Sequence, residues 1–274
     1  MSREDSYWAD EQAPQTPAAP QPSPLQPWSE TKVVGKPLQR IDAYERVSGS
    51  ATFSSDVIVR DMLHGATLRC PHAHARVKKV DTSAAEKLPG VWAIITDQTP
   101  GADIPWYGGR SGASRLFDPH CRFEGEEVAA VAAETPYQAW DAVRAIKVEY
   151  EVLPAVSTIE EALAAGAPPV QGTSNKVAEP QPYVRGSIEA GFAAADVVRE
   201  RTYYTECQVH NPMESFGCVA KWDGRNYLTI WDTTQGVFPV QQQVAQLLKL
   251  PLANVRVIGH YMGGGFGAKL SASK

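Results

Sequence analysis

The 274-residue sequence is poor in cysteine, and the few it has stand far apart. Cys70, Cys121, Cys207 and Cys218 include no Cys-x-x-Cys pair. That spacing argues against a zinc ribbon or an iron–sulfur cluster held by these residues alone, and reads as four buried or free thiols in a reducing compartment. A basic excess is also missing. Lys and Arg number 26 against 31 Asp and Glu, a net charge of −5, which speaks against a nucleic-acid binder. No apolar run approaches the roughly 18–20 residues of a membrane span, and the longest, Val128–Ala133, has the length of a strand. No hydrophobic segment follows Met-Ser-Arg-Glu-Asp-Ser, so no secretory signal is expected. The expected location is cytoplasmic, with export on a partner's signal as the exception. No internal repeat is present.

What remains is a composition of ordinary globular type, 43% hydrophobic and 21% charged, with length for one or two domains. Residues 1–30 carry six prolines (14, 17, 20, 22, 24 and 27) and read as an extended or disordered tail reaching to about residue 34, in which Trp8 and Trp28 are candidate anchors for wrapping a partner. From 35 to 155 the pattern is that of one domain. Strands are expected at His74–Val80, Val91–Thr96, Glu127–Ala133 and Lys147–Val152. Thr135 and Pro136 start a helix that runs to Ala145 and buries Ala139, Val143 and Ile146. Residues 97–123 read as loop. Residues 156–185, rich in Ala, Pro and Gly, read as a linker with one helical piece at Thr158–Ala165. A second domain is expected over 186–274. It has a short helix capped by Ser187, a strand at Val197–Tyr204, and a hairpin of Gly217–Trp222 and Tyr227–Trp231 joined through Asp223-Gly224. A helix opened by Pro239 and a strand at Val255–Gly259 complete it.

That last strand leads into Tyr261-Met-Gly-Gly-Gly-Phe-Gly-Ala-Lys269. Glycines without Cβ let the backbone approach a ligand closely, and successive N–H groups in such a loop form an anion-binding nest. Ala268-Lys269-Leu270 does not match the end of a P-loop. Gly263, Gly265 and Ala268 do fit the dinucleotide pattern Gly-x-Gly-x-x-Ala, so an NAD- or FAD-binding oxidoreductase is one reading.

The segment Gly263–Lys269 also resembles a loop of the molybdenum hydroxylases, the xanthine dehydrogenase and aldehyde oxidase family. Thr233-Thr234-Gln235-Gly236 resembles the family's Ser/Thr-Thr-Gln segment, and His210-Asn-Pro-Met-Glu214 its His-x-x-Met/Leu-Glu segment. Gly49, Phe53, Asp56, Cys70–Ala75, Pro89-Gly90-Val91 and Val148-Glu149-Tyr150 resemble the a/b hammerhead domain that precedes the molybdenum domain. The motifs run in order over about 35–274. The implied fold is α+β, a hammerhead domain followed by the beginning of a molybdopterin-binding α/β domain.

The resemblance implies a molybdenum–pyranopterin cofactor, as molybdopterin or its cytosine dinucleotide form, with no direct side-chain ligand to the metal. It assigns Gln235 and Phe266 to the outer shell of the molybdenum, Gln235 by amide donation to an oxo group. Gly264, Gly265 and Gly267 shape the cofactor loop. His210, Glu214 and Leu270 are assigned to the substrate channel. Lys269 has two readings, a neutraliser of cofactor phosphate or a solvated lysine. His72 and His74 match a hammerhead loop rather than a metal site. The implied reaction is hydroxylation of an electron-poor carbon with oxygen from water. The general-base glutamate is expected outside this chain, in the remaining molybdenum-domain polypeptide, and iron–sulfur and FAD subunits are the expected electron-transfer partners. Purine-oxidising members carry glutamate where this chain has Leu270, which points to an aldehyde or N-heterocycle. On this resemblance the chain reads as a fragment or split subunit, inactive alone. The other reading is a non-catalytic scaffold subunit of such a complex.

Overall fold

The computed structural model describes residues 31–107, 113–170, 172–176, 178 and 181–273. The expected tail, with Trp8 and Trp28, falls almost wholly outside the described residues. The chain divides into two units, one drawn from Met1–Ala51 and Pro180–Cys207, the other from Thr52–Glu179 and Gln208–Lys274.

In the first unit, helix α1 spans Ala43–Ser48, with Arg46 reaching back to Asp42 at 2.6 Å. The other half of this unit differs from the sequence reading. Ser187 does cap a short helix, Ile188–Ala193, but Val197–Tyr204 forms no strand. β-Rich composition yields a strand only where a neighbour completes the ladder. This segment has none among the described residues, and Val197, Tyr203 and Tyr204 stay exposed.

The second unit contains eleven described strands. β1 (His64–Arg69), β3 (Val91–Thr96) and β7 (Glu127–Ala133) form an antiparallel sheet with β7 in the centre. β2 (Ala75–Asp81), β6 (His120–Cys121) and β8 (Lys147–Val152) form a second, with β2 in the centre. β7 lies between two cores, which is why its sequence is apolar from Val128 to Ala133. Ala129, Val131 and Ala133 pack with Ala139, Ala142, Val143 and Ile146 of helix α2 (Pro136–Ala145). Val128 points the other way, into a cluster with Cys70, Ala75 and Cys121. Alanines on both surfaces bring helix and strand close, and each methyl buried there adds to the core. Thr135 caps α2 by accepting from Gln138 N. All four cysteines are free thiols, Cys70 and Cys121 buried.

The stretch read as loop, 97–123, contains three short strands: β6, and a ribbon of β4 (Pro105–Tyr107) and β5 (Ala113–Arg115). Two- and three-residue strands are too short to show a period of two, so the sequence hides them. Arg122, just after β6, bonds Asp118 at 3.0 Å and Glu126 at 3.2 Å, tying that loop to the start of β7. The linker carries the capped helix α3 (Ile159–Leu163) as expected, and Ile188–Ala193 is α4. His74 donates from Nδ1 to Pro154 O (2.6 Å), and its Nε2 faces His120 Nε2 at 2.7 Å. Among the described residues no group of three or more His, Cys, Asp or Glu is placed to hold a metal ion. No helix among them is long and apolar enough to cross a membrane.

The third sheet positions the glycine loop. β9 (Cys218–Asp223) and β10 (Tyr227–Asp232) form the expected hairpin, and β11 (Val255–Ile258) pairs parallel to β10. Helix α5 (Val237–Leu247) connects them, burying Val240 and Ala245 on Leu228, Ile230, Val255 and Val257. It begins two residues before the predicted Pro239, because Gly236 and Val237 turn straight out of the strand.

Candidate functional site

Sheet topology brings the site together. β10 and β11 run parallel, so the segments leaving their carboxyl ends, 233–236 and 259–269, emerge on the same edge. β9 runs antiparallel to β10 with Cys218 opposite Asp232, so the segment entering β9, 214–217, lies at that edge too. The carboxyl ends of parallel strands are where α/β sheets open crevices for ligands.

Four glycines make the loop compact, and Gln235 shows why. Its Oε1 accepts from Gly267 N at 2.9 Å and Lys269 N at 3.3 Å. A Cβ on Gly265 would stand 2.4 Å from that oxygen, so a side chain there would have to displace Gln235. The Gln235 backbone N–H donates to Lys269 O (2.7 Å), and Thr234 Oγ1 donates to the same carbonyl (3.0 Å). With Oε1 engaged by the loop, the exposed side chain of Gln235 has its NH2 group for donation elsewhere.

At the tip, Phe266 has a left-handed backbone (φ 50°) and a side chain 72% exposed. Gly264 and Gly267 also have positive φ, 146° and 98°. A bulky residue held at positive φ while facing solvent is strained for no packing gain, a pattern concentrated at ligand-binding sites. His210 lies alongside, its Nε2 3.8 Å from where a Cβ on Gly267 would be. Leu270 is half exposed, and its carbonyl packs over Gly236.

Lys269 is neither solvated nor free. It is 1% exposed, and its ammonium donates to Glu214 Oε2 (3.1 Å), Glu214 O (2.8 Å) and Ser215 O (3.4 Å). The Phe216 ring lies 5.4 Å from Nζ. Glu214 Oε2 also accepts from Gly263 N at 2.8 Å. Burial raises the Asp232 carboxyl above its usual range, partly offset by the Thr233 N–H and the Lys269 charge.

Residues 48–154 match the family described as aldehyde oxidase and xanthine dehydrogenase, a/b hammerhead domain, and residues 170–274 match the molybdopterin cofactor-binding domain. Similar proteins include the nicotinate dehydrogenase large molybdopterin subunit of Eubacterium barkeri, 33% identical over 88% of this chain and 57% of its own length. The aldehyde oxidoreductase molybdenum-binding subunit of Escherichia coli is 33% identical over 91% of this chain and 33% of its own. Quinoline 2-oxidoreductase from Pseudomonas putida superimposes with a TM-score of 0.72 at 30% identity, covering 85% of this chain and 31% of that one. The chain belongs to the molybdenum hydroxylase family.

The chain spans between about a third and just over half of these molybdenum hydroxylase relatives. Its α+β architecture, a hammerhead domain followed by a molybdopterin-binding domain, is the one the motifs implied. The dinucleotide pattern calls for a helix starting within the glycine loop, and among the described residues the loop makes a turn instead. Residues 266–269 make a single turn closed by Ala268 N to Gly265 O (2.8 Å). Sequence reading missed the pairing of Lys269 with Glu214 and the hydroxyl of Thr234. Opposite charges in the two motifs were the only available signal, and 55 residues separate them.

Proposed function

We propose that this chain forms part of the molybdopterin-binding subunit of an enzyme that hydroxylates an aldehyde or N-heterocycle with oxygen from water. Electrons would pass to iron–sulfur and FAD partner subunits. The observation that carries the reading is the pairing of Gln235 with a glycine loop in which a side chain at Gly265 would push Gln235 out of place. A cradle a Cβ would fill, an exposed amide donor and a strained solvent-facing Phe266 fit a bulky planar cofactor held by backbone. Such a molybdenum–pyranopterin, as molybdopterin or its cytosine dinucleotide form, supplies oxygen transfer and two-electron redox chemistry when bound.

In this reading Gln235 would hold the cofactor by donating from Nε2, and the backbone of Gly264–Gly267 would hold it from the loop. Phe266 shields the metal from water. Neutral donors suit this place because they orient without altering the charge of the metal centre. His210 and Leu270 border the approach. Glu214 does not serve as the base for the substrate proton, because its Oε2 is committed to Gly263 and Lys269, its Oε1 is shut off from solvent, and the adjacent Lys269 ammonium already balances its charge. That role falls to a glutamate elsewhere in the molybdenum domain. Leu270 offers no charged hydrogen bond, which favours aldehydes and N-heterocycles over purines. Relatives are named for nicotinate, quinoline and aldehyde, and at the same identity for hypoxanthine and xanthine, so the preference rests on Leu270 alone.

The test is to purify the complex containing this chain, measure molybdenum and extractable pterin, and assay aromatic aldehydes, N-heterocycles and xanthine. Molybdenum with aldehyde or heterocycle turnover is expected. A metal-free protein carrying a nicotinamide, or xanthine turned over as fast as aldehydes, would overturn the reading.

A further inference from the structure

We propose that Glu214 and Lys269 form a positioning clamp that sets the path of the glycine loop from outside it. The inference rests on the molybdenum-cofactor reading and adds the residues that hold the cradle in shape.

A loop with glycine at 263, 264, 265 and 267 has almost no side chains with which to fix itself, and glycine loses the most conformational freedom on ordering. It is pinned at both ends by residues from other segments. Gln235 takes the outgoing end through Gly267 N and Lys269 N. Glu214 takes the incoming end through Gly263 N. The Lys269 ammonium then returns to Glu214 Oε2 and to the carbonyls of Glu214 and Ser215, closing a ring from 214 through the loop and back. The fit is close, because a Cβ on Gly263 would stand 2.7 Å from Glu214 Cβ.

Stability alone does not account for this arrangement. A buried ion pair is often replaceable by apolar side chains of similar volume without loss. Here the second carboxylate oxygen, Oε1, is buried with no hydrogen-bond partner among the described residues, a costly placement. What an apolar pair would lack is an acceptor for Gly263 N–H. The carboxylate is therefore placed for the loop, and Lys269 neutralises it while tethering the loop's far end. The positions of Phe266 and Gly267 follow from both anchors.

Two double variants separate positioning from mere stability, each made in the complex that contains this chain. Glu214→Leu with Lys269→Met removes the charges and the acceptor. Glu214→Gln with Lys269→Met removes the charges and keeps the acceptor. Backbone hydrogen exchange over 261–270 is measured in both and in the parent, alongside molybdenum per folded protein. The Leu/Met variant is expected to exchange about tenfold faster over this segment with strands β1–β3 unchanged, and to lose most of its molybdenum. The Gln/Met variant, which keeps the acceptor for Gly263 N–H but loses the Lys269 tether, should fall between the parent and the Leu/Met variant in both. Equal exchange in the two variants, or faster exchange with full molybdenum in the Leu/Met variant, would overturn the clamp. A parent complex without molybdenum would instead overturn the functional reading, and the exchange comparison would then decide the clamp by itself.

Discussion

The side-chain oxygen of Gln235 accepts the backbone N–H of Gly267 at 2.9 Å across 32 residues of sequence. One amide thereby shapes the loop with its oxygen and keeps its nitrogen for a ligand. Replacing Gln235 with Ala should remove both functions, lowering molybdenum content and turnover by about 10- to 100-fold. Replacing it with Glu keeps the acceptor and loses the donor. That variant should retain the ordered loop, by hydrogen exchange over 261–270, while losing turnover.

Gly265→Ala places a methyl carbon 2.4 Å from Gln235 Oε1. The overlap should cost about 1–3 kcal/mol locally and displace either Gln235 or the loop. The expected result is a folded protein, with unchanged denaturation of the hammerhead sheets, that carries less molybdenum. Full metal loading in this variant would show that the cradle is looser than the contact implies.

Arg122 is the hub of the hammerhead loop, bonding Asp118 and the almost fully buried Glu126. Arg122→Ala removes the guanidinium from the Glu126 carboxylate, which keeps the backbone N–H of residue 122 at 2.6 Å, and should destabilise the domain by about 1–3 kcal/mol. The denaturant midpoint of the variant checks this. Arg122→Ala combined with Glu126→Gln should recover part of the loss.

The His74–His120 contact predicts acid sensitivity. Hydrogen bonding of His74 Nδ1–H to Pro154 leaves its Nε2 to accept from His120 Nε2–H. Burial pushes the His120 pKa below its usual 6.5, and the charges of Arg122 and Arg76 and the His74 ring act the same way against the nearby Asp118. The unfolded chain therefore binds the proton more readily. This contribution to stability is complete above pH 6.5 and is lost as the pH falls through the lowered folded value. Unfolding midpoints measured from about pH 7 down to about 5 should decline, and His120→Asn should flatten that slope. A slope unchanged by the substitution would assign the acid sensitivity to other groups.

Local chemistry made much of this chain legible from its residues. β7 and α2 could be read because a buried central strand must be apolar on both faces, and because Thr135-Pro136 caps and starts a helix without outside help. The β9–β10 hairpin could be read because Asp223-Gly224 specifies its own turn. The glycine loop pointed to a ligand site because four glycines in five residues let the backbone approach a ligand closely. Val197–Tyr204 misled because β propensity without a ladder partner makes no strand. The ribbon of β4 and β5 stayed hidden because pairing between segments, not composition, creates it. Lys269 gave no sign in sequence of being buried against Glu214 beyond its opposite charge. The parallel register of β10 and β11, with β9 reversed, brings residues 214, 235 and 263–269 to one edge. Distances between segments so far apart in sequence are set by strand order and direction, which only the tertiary structure fixes.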